Sequence, residues 1–130
     1  MRQQVIDKIR TKALGGISIS NELPYGEKDV PLYLKNPKTI YVDLTQYESE
    51  PLFLTFGGCD ISNTTTVVEL YFTTDAKKLP ANYDTVVDTL RAVKDEIEFN
   101  GAVNREAFVS TSYDGDLLIT VLEYRLTRII

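Results

Sequence analysis

The C-terminal segment constrains the fold most, because two strand-like stretches flank an Asp-Gly pair. Residues 107–113 and 117–130 both have extended, alternating patterns, and Asp114-Gly115 lies between them. Alternation with a period of two is typical of β-strands. An Asp-Gly pair favours a tight turn between antiparallel strands, since such turns need positive φ. The sequence therefore predicts a long C-terminal β-hairpin, whose second strand exceeds the usual length of about 3–10 residues.

Further strand-like segments precede this hairpin. Residues 39–45 alternate apolar and polar side chains, and residues 65–74 are rich in β-branched and aromatic residues, both of which favour strands. Residues 52–56 predict another strand, which Glu48–Pro51 separates from the first. Asp60–Thr64 predicts a polar turn. Short extended pieces are also expected at residues 17–20 and 30–34.

Two segments have helical periodicity. Residues 1–14 place apolar side chains on one face, and Gly15-Gly16 ends this helix. Residues 83–99 keep an apolar stripe over about four turns, with Asn82 or Asp84 as the N-cap. Strict βαβ alternation is absent, which argues against a doubly wound nucleotide-binding fold.

Together these elements predict an α+β fold, with a mainly antiparallel sheet, two helices packed on it and a long C-terminal β-hairpin. A chain of 130 residues has the length of one ordinary domain. Residues 1–130 are therefore expected to form a single domain.

Composition excludes several kinds of active site. The chain has no histidine, so neither a Ser-His-Asp nor a Cys-His mechanism can form. Its single cysteine, Cys59, permits neither an intrachain disulfide nor a zinc site of cysteine and histidine ligands. The Gly-Gly pairs match neither the dinucleotide-binding nor the Walker pattern. No catalytic residue, metal or cofactor is expected, and the protein is predicted not to be an enzyme.

The charge of the chain limits its partners. The sequence has 14 lysines and arginines against 19 aspartates and glutamates, which gives a net charge of −5. A broad positive surface for non-specific nucleic-acid binding is therefore not expected. The first residues are not followed by an unbroken apolar run, so neither a secretory signal nor a membrane span is expected. The expected compartment is the cytoplasm, or an assembly formed there.

The final strand contains the residues that we predict for an oligomer interface: Tyr124, Arg125, Leu126, Arg128 and Ile130. Tyrosine and arginine are enriched where protein surfaces meet. A terminal strand of this length also offers unpaired backbone groups, which a neighbouring subunit would cover. On this hypothesis, removal of the last six residues lowers assembly more than monomer folding. The alternative, that the strand bends over its own core, stays open at this point.

Lysines in the predicted loops form a second candidate surface, made of Lys28, Lys35, Lys38, Lys77 and Lys78. If these lysines lie close together in the fold, they form a small basic patch that faces the phosphates of DNA or the acidic groups of a partner. The alternative is that these lysines are scattered and only aid solubility.

In length, acidic balance and order of elements, the chain resembles the tail terminator (tail completion) proteins of long-tailed bacteriophages, including the small lambda-type member. The elements that carry the resemblance are the helix Met1–Leu14, the strands Thr39–Thr45 and Thr65–Thr74, the helix Tyr83–Phe99 and the hairpin of Glu106–Tyr113 with Leu117–Leu126. The stretch Leu118–Tyr124 is similar to the final strand of that family. The strand Leu52–Phe56 and the long loop Gly26–Lys38 depart from the family pattern.

The resemblance implies a structural role rather than an active site. Such proteins form a ring, usually a hexamer, on the head-proximal end of the tail tube, where the ring stops tube polymerisation and docks the head connector. The implied partners are further copies of the chain, the tail tube protein and the head–tail connector protein. DNA would pass through an acidic lumen without specific binding. The implied location is the virion, after assembly in the host cytoplasm.

Two other functions are weighed against this one. The first is another neck or head–tail joining subunit of the virion. The second is a small carboxylate-dependent enzyme, for which no nucleophile–base pair can be drawn.

Overall fold

The computed structural model describes residues 1–25, 31–54, 60–99 and 102–129, with backbone only for residues 46–54, 60–64, 102–103 and 129. The elements in chain order are the helix α1 (Arg2–Arg10), the strand β1 (Ser18–Ile19), the short helix α2 (Leu32–Lys35), the strands β2 (Thr39–Leu54) and β3 (Asp60–Asp75), the helix α3 (Tyr83–Ala92), a 3₁₀ turn (Val93–Glu96), and the strands β4 (Ala102–Asp114) and β5 (Leu117–Ile129).

Within the described residues, the strands form one sheet in the order β1-β2-β3-β5-β4. β1 is parallel to β2, and the remaining neighbours are antiparallel. The helices α1 and α3 share one hydrophobic core with this sheet. The predicted α+β fold is therefore confirmed, as is the long C-terminal hairpin.

The hairpin turn lies one residue later than the Asp-Gly pair suggested. Asp114 pairs with Leu117, so Gly115 and Asp116 form a two-residue loop. Gly115 has a φ of +59°. Positive φ at the first loop residue is a conformation that glycine adopts without steric cost.

β5 is an interior strand of the sheet. It pairs with β3 along its whole length, Leu117–Ile129, and with β4 from Leu117 to Arg128. Its backbone groups are thus used on both sides by the same chain. The hypothesis that this strand offers an unpaired edge to another subunit is wrong for these residues.

The core lies between α1, α3 and one face of the sheet. Inward side chains alternate along each strand and match across strands, since Val68 pairs with Tyr124 and Leu70 with Leu122. The hydrophobic side chains that are at most 1% exposed are Val5, Ile6, Ile9, Val86 and Leu90 of the helices, Val93 of the 3₁₀ turn, and Ile40, Val42, Val68, Leu70, Phe72, Leu122, Tyr124 and Leu126 of the strands.

β2 and β3 are longer than predicted, with 16 residues each. Pro51 does not end β2, because the register shifts between Glu48 and Pro51 and again between Pro51 and Phe53. Pro51 itself pairs with Ser62 between these two irregularities, and proline, which has no N–H to donate, is tolerated in strands at such irregular positions. The polar turn expected at Asp60–Thr64 is wrong, since these residues pair with β2 as part of β3.

The helices also differ from the sequence prediction. The extended piece expected at residues 30–34 is largely the helix α2, which begins after Pro31, whose φ of −60° suits a helix entry. α1 ends at Arg10, earlier than expected. Gly15 follows with a φ of +57°, and a Cβ atom there would lie 2.0 Å from the Asn82 amide nitrogen. Asn82 is the N-cap residue of α3, although its side chain makes no capping bond.

Tyr124 joins the sheet to α3 inside the core. Its ring is fully buried, and its hydroxyl donates a hydrogen bond to the Leu90 carbonyl. Burial raises the pKa of this phenol, and the Glu96 carboxylate raises it further. An unfolded chain ionises its tyrosines near pH ~10. The stabilisation from this group is therefore complete below about pH 10 and is lost as the pH rises further, because the folded state resists losing the proton.

Tyr124→Phe is expected to lower the free energy of unfolding by roughly 0.5–1.5 kcal/mol near neutral pH, because the Leu90 carbonyl loses one of its two donors and keeps the Val93 N–H. The variant should also lose less stability than the wild type between about pH 9 and pH 11. Urea unfolding followed by circular dichroism measures both effects. Tyr113→Phe is the control, since that side chain is 73% exposed. Equal alkaline losses in the wild type and Tyr124→Phe would contradict this expectation.

Candidate functional site: an open sheet edge and an acidic face

The predicted oligomer-interface residues of β5 divide between the two faces of the sheet. Tyr124 and Leu126 are 0% exposed and belong to the core beneath the helices. They are therefore reassigned from the interface to the monomer core. Arg125 points to the other face and is exposed. The Arg128 guanidinium lies over the Phe99 ring at 5.1 Å from its centroid. Ile130 lies outside the described residues.

The outer strand β4 has the features that were expected of β5. Within the described residues it pairs with β5 alone. Phe108, Val109 and Tyr113 are 45%, 38% and 73% exposed. Residues 107–113 contain no charged side chain. An exposed, uncharged edge strand with β-branched and aromatic residues is a template for pairing with another chain.

The sequence pattern predicted β4 as a strand but not as a contact surface, because the interface was assigned to the longest strand. The signal was nevertheless present, since residues 107–113 combine phenylalanine, valine and tyrosine with no charge. Natural edge strands are commonly protected by charged side chains or proline. The stretch 107–113 has neither, between the charged Glu106 and Asp114, and is therefore the candidate contact surface of this edge strand.

The sheet face away from α1 and α3, which we call the open face, carries a transverse row of carboxylates. Asp43 pairs directly with Glu69, and Glu69 pairs directly with Glu123. These three residues form the acidic row. Side chains directly opposite each other lie about 4.5–5.5 Å apart at Cβ, and like charges at this spacing are destabilising.

Neighbouring groups offset part of this repulsion. The Arg125 guanidinium binds the Glu123 carboxylate at 2.8 Å and also lies over the Phe108 ring at 5.0 Å from its centroid. The Tyr71 hydroxyl donates to Glu69 at 2.5 Å. A shallow concavity of about 440 Å³ lies here, lined by Thr65, Val67, Glu69, Glu123 and Arg125. In this part of the open face, the described carboxylates outnumber the cations.

A tyrosine cluster covers another part of the open face. The Tyr33 and Tyr71 rings stack at 5.1 Å between centroids, and Tyr25 contacts both rings edge-on, at 6.1 and 5.9 Å. The Thr73 hydroxyl donates to the Tyr33 carbonyl at 2.7 Å. Burial, followed by the hydrogen bond with Glu69, raises the pKa of Tyr71. The cluster holds α2 against the sheet, whereas the acidic row is half-buried beside it.

The lysines of the predicted partner-facing loops are only partly brought together. Lys38 and Lys78 line one concavity of about 420 Å³, and Asp75 lines it with them. The Lys77 ammonium lies 3.4 Å from the Asp116 carboxylate. Lys35 is exposed at the end of α2, and Lys28 lies outside the described residues. The described lysines thus form an end of mixed charge, in which carboxylates alternate with ammonium groups.

Among the described residues, no group of three or more acidic, cysteine or histidine side chains is arranged to hold a metal ion. In the same part of the chain, no helix has the length and apolar character needed to cross a bilayer. No protein-family model matches the sequence, and a search of curated proteins finds no match.

Proposed function

We propose that this chain is a structural protein of a bacteriophage tail, the tail terminator, and not an enzyme. Copies of the chain form a closed ring, usually a hexamer, on the head-proximal end of the tail tube. The ring ends tube polymerisation and provides the docking face for the head connector. The observation that carries this proposal is the open edge of β4, whose stretch 107–113 has no charged side chain.

A ring requires a contact between two different surfaces of identical copies, repeated by a rotation that closes. An edge strand provides one such surface. Its free backbone groups form hydrogen bonds with a strand of the neighbouring copy, and its side chains fix the register of that pairing. Phe108, Val109 and Tyr113 are already partly exposed in the monomer. Contact with a neighbouring copy removes their apolar surface from water, which contributes about 25 cal/mol per Å² buried.

The acidic row supports a role for the open face as the wall of the DNA channel. Asp43, Glu69 and Glu123 face one way across three neighbouring strands, and Arg125 is the cation beside them. Carboxylates repel the phosphates of passing DNA, so the DNA slides instead of binding. The destabilising cross-strand arrangement of these carboxylates is then retained for the field that it creates.

The mixed-charge end with Lys38, Lys77 and Lys78 supports a role in docking. Its loops project from one end of the sheet, where β3 ends and the β4–β5 turn begins. A pattern of alternating charges selects a complementary partner and disfavours others. We assign this end to contact with the tube protein or the connector protein.

The test of the proposal is the length of tail tubes assembled with and without this protein. Tube subunits of the same phage are polymerised in vitro, and the tubes are measured by negative-stain electron microscopy. We expect shorter tubes with a ring at one end when the protein is present. Tubes of unchanged length without end rings would contradict a terminator role. Binding to portal rings but not to tubes would instead support a head–tail joining subunit.

A further inference from the structure

The outer edge of β2, which faces away from β3, begins beside β1. The Ser20 N–H donates to the Ile40 carbonyl at 2.9 Å, so Ile40 directs its backbone carbonyl to the outer side. In an antiparallel strand, alternate residues direct their backbone groups to the same neighbour. Val42 and Leu44 are therefore the next outward positions of β2.

Side chains of the same chain occupy a backbone group at both of these positions. The Arg2 Nε–H donates to the Val42 carbonyl at 2.7 Å. The Asp43 carboxylate accepts a hydrogen bond from the Leu44 N–H at 2.8 Å. Three consecutive outward positions of β2 thus have a partner from within the chain. Among the described hydrogen bonds, by contrast, no side chain binds the backbone of β4.

Arg2 is held firmly in this position. Its Nη2 donates to the carbonyls of Asn21 and Glu22, at 2.6 and 2.9 Å. An incoming strand would have to displace a guanidinium that makes three hydrogen bonds, each with a net value of about 0.5–1.5 kcal/mol. The geometry therefore opposes strand addition at Val42.

We propose that Arg2 and Asp43 are edge caps, which occupy the outward Val42 carbonyl and the outward Leu44 N–H and so prevent a strand of a second copy from pairing with this stretch of β2. An uncapped sheet with two open edges can extend from copy to copy without limit. With β2 capped over Ile40–Leu44, strand addition is opposed along this stretch of the β2 edge. This inference concerns the monomer and holds whether or not the chain forms a tail ring.

Arg2→Ala is expected to open the β2 edge. Sedimentation velocity over a range of concentrations should give an average mass at least about twofold above that of the wild type. Arg10→Ala is the matched control, because it removes another α1 arginine, which donates to the Asn21 side chain at 2.7 Å, and leaves β2 untouched. This control should sediment like the wild type.

A second pair of variants keeps the test decisive if Arg2→Ala fails to fold. Asp43→Ala frees the Leu44 N–H and should raise the mass, whereas Asp43→Asn keeps an oxygen acceptor and should not. Thermal unfolding verifies that each protein is folded. If folded Asp43→Ala and Arg2→Ala both sediment like the wild type, the edge-cap proposal is overturned. The ring proposal is tested separately, by the mass of the wild type.

Discussion

Deletion of Arg125–Ile130 is expected to unfold the monomer, and not merely to weaken assembly. The deleted residues include the part of β5 that pairs with Asn63–Val67 of β3 on one side and with the beginning of β4 on the other. Leu126 is 0% exposed within the core. The loss of this side chain alone costs about 2–5 kcal/mol, out of a total stability of about 5–15 kcal/mol.

Urea unfolding of point variants separates the core contribution from the rest of the segment. Leu126→Ala should lower the free energy of unfolding by roughly 2–5 kcal/mol. Thr127→Ala, one residue later and on the other face of β5, should change it by less than about 1 kcal/mol. A truncated protein that unfolds like the wild type but forms a smaller oligomer would instead support the hypothesis from the sequence, in which the segment serves only assembly.

The double variant Val109→Asp/Tyr113→Asp is expected to abolish self-association and to keep the monomer folded. Both side chains lie on the same side of β4 and are 38% and 73% exposed, so neither contributes much to the core. Aspartate has a low β-propensity, which costs up to about 1 kcal/mol per site. Its charge also blocks the approach of a second strand, as charged side chains do on natural edge strands.

The matched control adds the same charge elsewhere on the surface. Leu23 and Leu79 are 51% and 44% exposed and lie outside β4. Leu23→Asp/Leu79→Asp should therefore keep the oligomeric mass of the wild type. Size-exclusion chromatography with light scattering measures the mass of all three proteins. An unchanged mass in the β4 variant would exclude this edge as the contact.

Local patterns in the sequence predicted most of the elements, because each pattern reflects which side chains face the core. The stripe of α3 and the alternation of β5 follow directly from the helical and strand periods. The order of the strands in the sheet does not follow from local patterns, because it depends on which distant segments pair. Nothing local to Leu117–Ile129 indicates that β3 lies on its other side. The interface prediction therefore assigned an open edge to β5, which is an interior strand of the sheet.

Three other features were not predicted from the sequence, because each depends on how separate segments meet in the fold. Pro51 predicts the end of a strand, whereas β2 continues through it with a register shift on each side. The tyrosine cluster unites Tyr25, Tyr33 and Tyr71, which belong to separate segments and meet only in the folded chain. The acidic row is hidden in the same way, because its members come from three different strands.

The mass of the unmodified protein in solution tests the central claim, that copies of this chain close into a ring through the open sheet edge. Sedimentation velocity should reveal one species that is larger than a dimer, with a mass that is a fixed multiple of 14.7 kDa and does not change with concentration. A closed ring has a fixed number of copies, because every contact surface is used. A monomer of 14.7 kDa, or a dimer as the largest species at high concentration, would contradict the claim.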